Sequence, residues 1–322
     1  MKLKNSILIE YFKKIYLIRK TELEISKKYS EKKMRCPVHL SVGQEAPSAA
    51  INLFLEKRDY AISYHRAHAH YLAKNCSLKK MIAEIYGKVT GCSKGNGGSM
   101  HLIDKSKNFI GSTAIVSSSI PVGAGFAYSL IEKNKSNKVC IYVGDASCEE
   151  GVFFETLNFV ILKKLPVIFF CENNKYSVYS GLKNRQPTNR KLYKLAEAFG
   201  IKSFYLSSAN PINFLSQMNN IFKKKLAEPI FIEVDTYRYL EHCGPNIDDN
   251  LNYRPNKEIN YWLKKDPLTL TEKFLLKNKV CDENRIKKIK LYIDSQIKNA
   301  FKFAERSNSP KYKDYQKLKL IN

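Results

Sequence analysis

The chain has 322 residues, enough for one large α/β domain or two ordinary ones. A hydrophobic share of 44% and an aromatic share of 12% exclude long disorder. The formal net charge is +25, but it sits at the ends: residues 1–40 hold 11 Lys and Arg against 4 acids, and residues 251–322 hold 18 against 8. Acids interleave with the bases and no recognition motif accompanies them, so the ends read as solvated Lys-rich helices or a dock for an acidic protein. A nucleic-acid groove is not expected.

In chain order, Leu3, Ile7, Leu8, Tyr11, Phe12 and Ile15 follow helical spacing and predict an amphipathic helix. A loop over 36–43 precedes a helix over 45–55, and a short strand over 60–64 runs into His65-Arg66-Ala67-His68-Ala69-His70. A helix over 78–86 leads to a glycine-rich loop, 91–98. The next helix, 119–132, has Pro121 near its start and Gly123, Ala124 and Gly125 for close packing. Continuous apolar runs over 139–143 and 166–171 are strands buried on both faces. They flank a helix over 149–164, with Glu149 and Glu150 expected in its first turn, where the dipole favours acids. That is a βαβ unit. A further strand spans 230–234, and from residue 257 the chain reads as mostly charged helix. The expected fold is a doubly wound, mainly parallel α/β sheet forming one domain over 1–322, with helical extensions at 1–35 and 257–322. The eight cysteines contain no C-x-x-C pair and suggest a reducing, cytoplasmic setting. No apolar run reaches the length of a signal peptide or membrane span, so no membrane association is expected.

The chemistry concentrates at two strand ends. The first reads Gly144-Asp145-Ala146 and the second Glu172-Asn173-Asn174-Lys175-Tyr176. Ligands of doubly wound sheets sit outside the carboxyl ends of the strands, which brings Asp145 and Asn174 side by side. A carboxylate, an amide oxygen and a backbone carbonyl make a hard oxygen set suited to Mg²⁺, which takes its other ligands from phosphate and water. Gly144 lets the backbone approach that phosphate, and the amino end of the following helix supplies N–H groups. A lone Gly-Asp would be a turn and a lone Asn-Asn a cap; the pair is far more specific.

Gly144-Asp145 followed by Asn173-Asn174 resembles the thiamine-diphosphate motif G-D-G…N-N. From about residue 36 to 268 the chain resembles the alpha subunit of the decarboxylating component of 2-oxoacid dehydrogenase complexes, and most of all the acetoin dehydrogenase branch. The segments that carry this likeness are His39-Leu40-Ser41-Val42-Gly43-Gln44-Glu45, His65-Arg66, Gly97-Gly98-Ser99-Met100-His101 and Thr236-Tyr237-Arg238-Tyr239.

The resemblance implies that Asp145, Asn174 and the Tyr176 carbonyl hold Mg²⁺. It sets Arg66 on the diphosphate, with His65, where relatives often have Tyr, beside it. Gly144, Ala146 and Ser147 would face the same group, the backbones of Ala114 and Val116 the aminopyrimidine, and His39 the mouth of the site. His242 would stand next to the reactive carbon, making His242 and His65 the catalytic candidates. The cofactor carries the carbon chemistry, while a glutamate needed to activate it comes, in the family, from a beta subunit in an α₂β₂ heterotetramer. The cleaved fragment then passes to a lipoyl group on an acyltransferase.

Three departures stand out: Ala146 replaces the second glycine, residues 113–119 hold less glycine than in relatives, and Leu240-Glu241-His242-Cys243-Gly244-Pro245 lacks the serine that kinases modify in mitochondrial pyruvate enzymes. The alternatives are a thiamine-diphosphate-dependent carbon–carbon ligase or lyase acting on a sugar or secondary metabolite, a metal-dependent hydrolase using His65, His68 and His70, and a basic binding protein without activity. All six histidines, including His101, lie in the motif segments.

Overall fold

The computed structural model describes residues 3–34, 36–223, 228–312 and 314. Residues 1, 2, 35, 313 and 315–322 of the expected helical ends therefore lie outside the described residues.

The elements run α1 (Asn5–Tyr29), α2 (Glu45–Phe54), β1 (Tyr60–Ser63), α3 (His68–Ala73), α4 (Leu78–Ile85), β2 (Phe109–Ser112), α5 (Ser119–Glu132), β3 (Val139–Gly144), α6 (Gly151–Leu162), β4 (Val167–Asn173), β5 (Tyr176–Ser177), β6 (Ser180–Gly181), α7 (Leu182–Arg185), α8 (Leu192–Ala198), β7 (Lys202–Ser207), α9 (Pro211–Lys223), β8 (Ile230–Asp235), α10 (Asn256–Leu263), α11 (Pro267–Lys277) and α12 (Glu283–Arg306). Six strands form one sheet in the order β2-β1-β3-β4-β8-β7, with parallel pairing throughout. The doubly wound parallel expectation holds. The chain moves outward from β1 to β2 and then returns to place β3 on the other side of β1, so the strand order reverses between β1 and β3.

Alternate residues of the strands feed two separate cores. Cys140, Tyr142, Ile168, Phe170 and Ile232 face a cluster shared with α1, α2, α3, α4, α9 and α12. Ile141, Val143, Val167, Phe169 and Phe231 face one shared with α5, α6 and α8. Helix α5 rests closely on the second face, because a Cβ at Gly123 would lie 2.7 Å from Ile141 and 2.9 Å from Ile62. Gly125 meets no such limit, so only one of the two glycines serves packing.

Two expectations need correction and a third gains detail. The helix after β3 begins at Gly151, because residues Asp145–Glu149 first form a 3₁₀ turn; Glu149 and Glu150 precede the first helical turn instead of occupying it. The charged carboxyl-terminal region is three helices, α10, α11 and α12. Helix α1 is not a solvated basic arm: Lys14, Arg19 and Glu22 are buried in it. Lys14 donates to the Ala73 carbonyl (2.6 Å) and Asn75 (2.7 Å), and Arg19 is paired with Glu45 and with Asp266 (2.8 Å). Among the described residues, no helix is long and apolar enough to cross a membrane.

Candidate active site

The carboxyl ends of β1, β2, β3, β4 and β8 open into one cleft of about 180 Å³. Every residue that the resemblance assigned to the cofactor site lines it. His65 and Arg66 follow β1, and Ala114 and Val116 come from the loop after β2. Gly144, Asp145, Ala146 and Ser147 end β3, Asn174 and Tyr176 follow β4, His242 comes from the loop after β8, and His39 comes from the loop before α2. Tyr64, Met100, Ser177 and Val178 complete the wall. The cleft lies at the reversal of strand order, where open α/β sheets bind ligands.

Arg66 is buried, and among the described residues no carboxylate lies within ion-pair distance of it. Its guanidinium donates to the carbonyls of Leu40 (2.7 Å) and His242 (3.1 Å). Burial first, then Arg238 nearby, pulls its pKa down to about 10. Glu22 and Glu172, beyond ion-pair distance, offset part of the cost of burial; a buried cation with no direct ion pair remains costly, and an anion in the cleft would relieve it.

Asp145 is also buried and bonds to Arg185, which holds Glu149 as well. Burial raises the Asp145 pKa while Arg185 opposes the rise. Asn174 gives its amide N–H to Gln44 (3.1 Å), which orients its oxygen; that oxygen accepts from the Tyr176 backbone N–H (3.0 Å). Beneath them, Glu172 accepts from Tyr64 (2.7 Å) and Ser48 (3.0 Å), and His70 lies 3.1 Å away. Burial alone would raise the Glu172 pKa, but His70, Tyr64 and Ser48 together hold it below the usual value. This network fixes the strand end that carries Tyr64, His65 and Arg66.

The glycine-poor loops have found backbone solutions. Ala146 avoids the left-handed region, so its methyl group fits. Ser117 does adopt it, with φ +66°, and its hydroxyl donates to the Ser147 carbonyl (2.9 Å). The Ala114–Val116 wall is thereby tied to the end of β3. Val178, a β-branched residue in the cleft wall, also has a left-handed φ of +54°, a strained choice.

The rings of His39, His65 and His242 cluster, with centroids 4.7–5.3 Å apart. Burial and then Arg66 lower their pKa values to about 2, 3 and 3 respectively, so all three are neutral imidazoles at ordinary pH. The hydrolase set drawn from His65, His68 and His70 does not form. His68 is bound between Glu22 (3.1 Å) and Ser99 (2.8 Å), and His70 between Ser63 (2.7 Å) and Glu172. Both are fully buried braces. The trio that does meet has the Arg66 guanidinium 3.4 Å from His242 Nδ1, which disfavours a cation there. His101 is exposed, and its neighbour Met100 lines the cleft in its place. Glu45 of the first motif pairs with Arg19 and serves the fold.

Sequence reasoning missed Arg185, Glu149, Glu172 and Gln44. The first of these lies 40 positions from Asp145, and no local spacing signals such a pair.

A buried guanidinium in one cleft with a carboxylate and an oriented amide, at the carboxyl edge of a parallel sheet, makes the cleft suitable for a phosphorylated cofactor held through a hard cation. Residues 13–313 match the family described as Dehydrogenase E1 component. The chain belongs to that family, whose alpha subunits serve thiamine-diphosphate-dependent 2-oxoacid dehydrogenases, as the motifs implied. It is 36% identical over 311 residues to the pyruvate dehydrogenase E1 component subunit alpha of Rickettsia felis, covering 94% of this chain and 92% of the relative. The Rickettsia bellii subunit of the same name is 34% identical over 309 residues, with the same coverages. A chloroplastic alpha-3 subunit of that enzyme from Arabidopsis thaliana is 32% identical over 311 residues, covering 94% of this chain and 72% of the relative. These names give no support to the leaning toward acetoin.

Proposed function

We propose that this chain is the alpha subunit of a thiamine-diphosphate- and Mg²⁺-dependent enzyme that cleaves a 2-oxoacid, pyruvate being the one named in its relatives, or a small ketone such as acetoin. It passes the fragment to an acceptor such as a lipoyl group on another protein. The observation that carries this reading is Arg66, a buried cation with no carboxylate in direct contact, lining the same cleft as the Asp145–Asn174 oxygen pair.

Asp145, Asn174 and the Tyr176 carbonyl would hold the metal, and Arg66 with the backbone of 144–147 the diphosphate. The backbones at Ala114 and Val116 would hold the aminopyrimidine. When bound, the cofactor supplies the electron sink for breaking the bond next to the carbonyl. His242 and His65 then act as neutral hydrogen-bond donors toward the substrate oxygen, and His39 narrows the mouth. Arg66 fixes His242 by bonding to its backbone carbonyl, and the Gly244 N–H bonds to Val38 (2.8 Å). The late loop is thus anchored beside the reacting centre.

A cleft of about 180 Å³ falls short of the ~300–1,000 Å³ of complete small-molecule sites. The apolar residues Ile115, Val116 and Val122 are exposed at its rim and beyond. Both observations support a beta subunit that closes the cleft, in an α₂β₂ assembly. Eight free cysteines fit a cytoplasmic setting.

The test is calorimetric titration of thiamine diphosphate with Mg²⁺ into the chain assembled with its beta subunit. Asp145→Ala should abolish Mg²⁺-dependent binding with the fold kept; affinity equal to wild type would remove Asp145 from the site. His242→Ala should lower kcat by roughly 10²–10⁴-fold with cofactor affinity nearly kept. Wild-type kcat at saturating cofactor would end its catalytic role.

A further inference from the structure

Between Asn174 and Gln186 the chain leaves the cleft, turns in the β5–β6 hairpin and comes back. The Leu182 N–H bonds to the Lys175 carbonyl (2.8 Å), closing the loop. Helix α7 then delivers Arg185 onto Asp145 and Glu149, with its Nε donating to the Ser180 carbonyl (3.2 Å). Gln186 also donates to Glu149 (2.7 Å). The Arg185 side chain is 11% exposed and that of Asp145 is 4% exposed, so water screens the pair poorly. One guanidinium is therefore shared between the carboxylate assigned to the metal and a second carboxylate four residues on.

This sharing has a charge consequence. A divalent cation arriving alone meets a carboxylate already paired with Arg185, with Arg66 free of any direct ion pair in the same cleft. A cation arriving with a diphosphate brings its own negative charge, which also satisfies Arg66. We propose that Arg185 is a positioning residue that makes metal binding conditional on the diphosphate, with Glu149 setting the strength of that condition by drawing part of the guanidinium away from Asp145. The proposal rests on the reading of Asp145 as a metal ligand. It gives Arg185 a share of the coupling between metal and diphosphate, beyond what direct coordination of the metal by phosphate supplies, and by linkage that share acts equally in both directions.

The test uses the full chain assembled with its beta subunit and stripped with a chelator. Mn²⁺ binding is followed by electron paramagnetic resonance, without and with saturating inorganic pyrophosphate. In wild type, pyrophosphate should tighten Mn²⁺ by roughly 10-fold or more, within the usual range of such couplings. Arg185→Gln should bind Mn²⁺ alone roughly 10-fold tighter than wild type and reduce the coupling by the same factor, leaving the part that direct coordination by pyrophosphate supplies, while Arg185→Lys, which keeps the charge, should restore the full coupling. Glu149→Gln should act in the opposite sense, weakening Mn²⁺ alone, because Arg185 then rests wholly on Asp145. Unchanged Mn²⁺ affinity and coupling in Arg185→Gln, or unchanged or tighter binding in Glu149→Gln, overturns the proposal. Asp145→Asn separates the two layers: if it binds Mn²⁺ as wild type does, the metal reading itself is wrong, and if it loses Mn²⁺ while the other variants behave as wild type, only the coupling falls.

Discussion

The two faces of the sheet are finished to different degrees. On one, α12 packs over α4 and α1, and the outer surface of α12 presents Lys287, Lys288, Lys298 and Lys302 to solvent. Charges that could not reach solvent there, such as Arg19, Lys14 and Glu22, have partners inside. On the other face, α5 and α6 form a single layer. Apolar groups remain uncovered on it: Val122, Tyr128 and Ile131 on α5, and Phe159 and Leu162 on α6. They continue the apolar rim of the cleft at Ile115 and Val116. A helix apolar on its outer side asks for another protein. One face is built to meet water and the other to be covered, and the cleft opens on the border.

Disrupting the finished face should cost the most stability. Arg19→Ala would leave Glu45 buried without its main counter-charge, and a loss of about 3–5 kcal/mol is expected. Chemical denaturation would measure it. A loss under 1 kcal/mol would mean that the charges of α1 are not held as tightly as the geometry indicates.

The contrast between the faces sharpens with two leucines. Leu162 on α6 is 71% exposed and Leu291 on α12 is 60% exposed, so neither should matter to the isolated chain. Leu162→Asp should weaken association with the beta subunit by roughly 30-fold, as expected at an interface anchor worth about 2 kcal/mol. Leu291→Asp should leave it unchanged. Sedimentation of mixtures across a concentration series distinguishes the two, and equal effects would erase the distinction between the faces.

The smallest effect concerns acid. His39, His65 and His242 stay neutral in the folded chain down to about pH 2–3, whereas in the unfolded chain they take up protons near the ordinary value of about 6.5. Between those limits the unfolded state binds more protons. Their contribution to stability is therefore present above about pH 6.5 and declines as pH falls toward 3. Urea midpoints at pH 7.5 and 5.0 should differ less in His65→Phe than in wild type. An identical pH dependence would show that His65 titrates normally in the folded chain.

Much of this was legible because burial on both faces leaves a plain signal. The runs at β3 and β4 are apolar residue after residue, and the metal candidates sit at their ends. Edge strands are quieter. In β7, Lys202 and Tyr205 face solvent, so its sequence resembles a loop and no strand was expected there. Strand β2 spans four residues and is flanked by polar ones. The same limit applied to the site. Its lining residues lie in contiguous motifs, but the braces behind them pair across long separations: Gln44 with Asn174, Ser48 with Glu172, Arg185 with Asp145. The histidines show the ambiguity of residue type. His65 and His68 are three positions apart, yet one lines the cleft and the other turns into the core against Glu22, because α3 begins at His68.

The absence of a side chain at Gly123 acts as a spacer of zero thickness. It fixes how far α5 stands from the sheet, and α5 begins directly after the Ser117–Ser118 turn that holds the Ala114–Val116 wall. The same helix carries Val122 on its outer side, so one interatomic clearance sets both the width of the cleft and the height of the surface offered to a partner. The two dimensions cannot drift independently: a chain that keeps this wall of the cleft in place also keeps its outer face at a constant level.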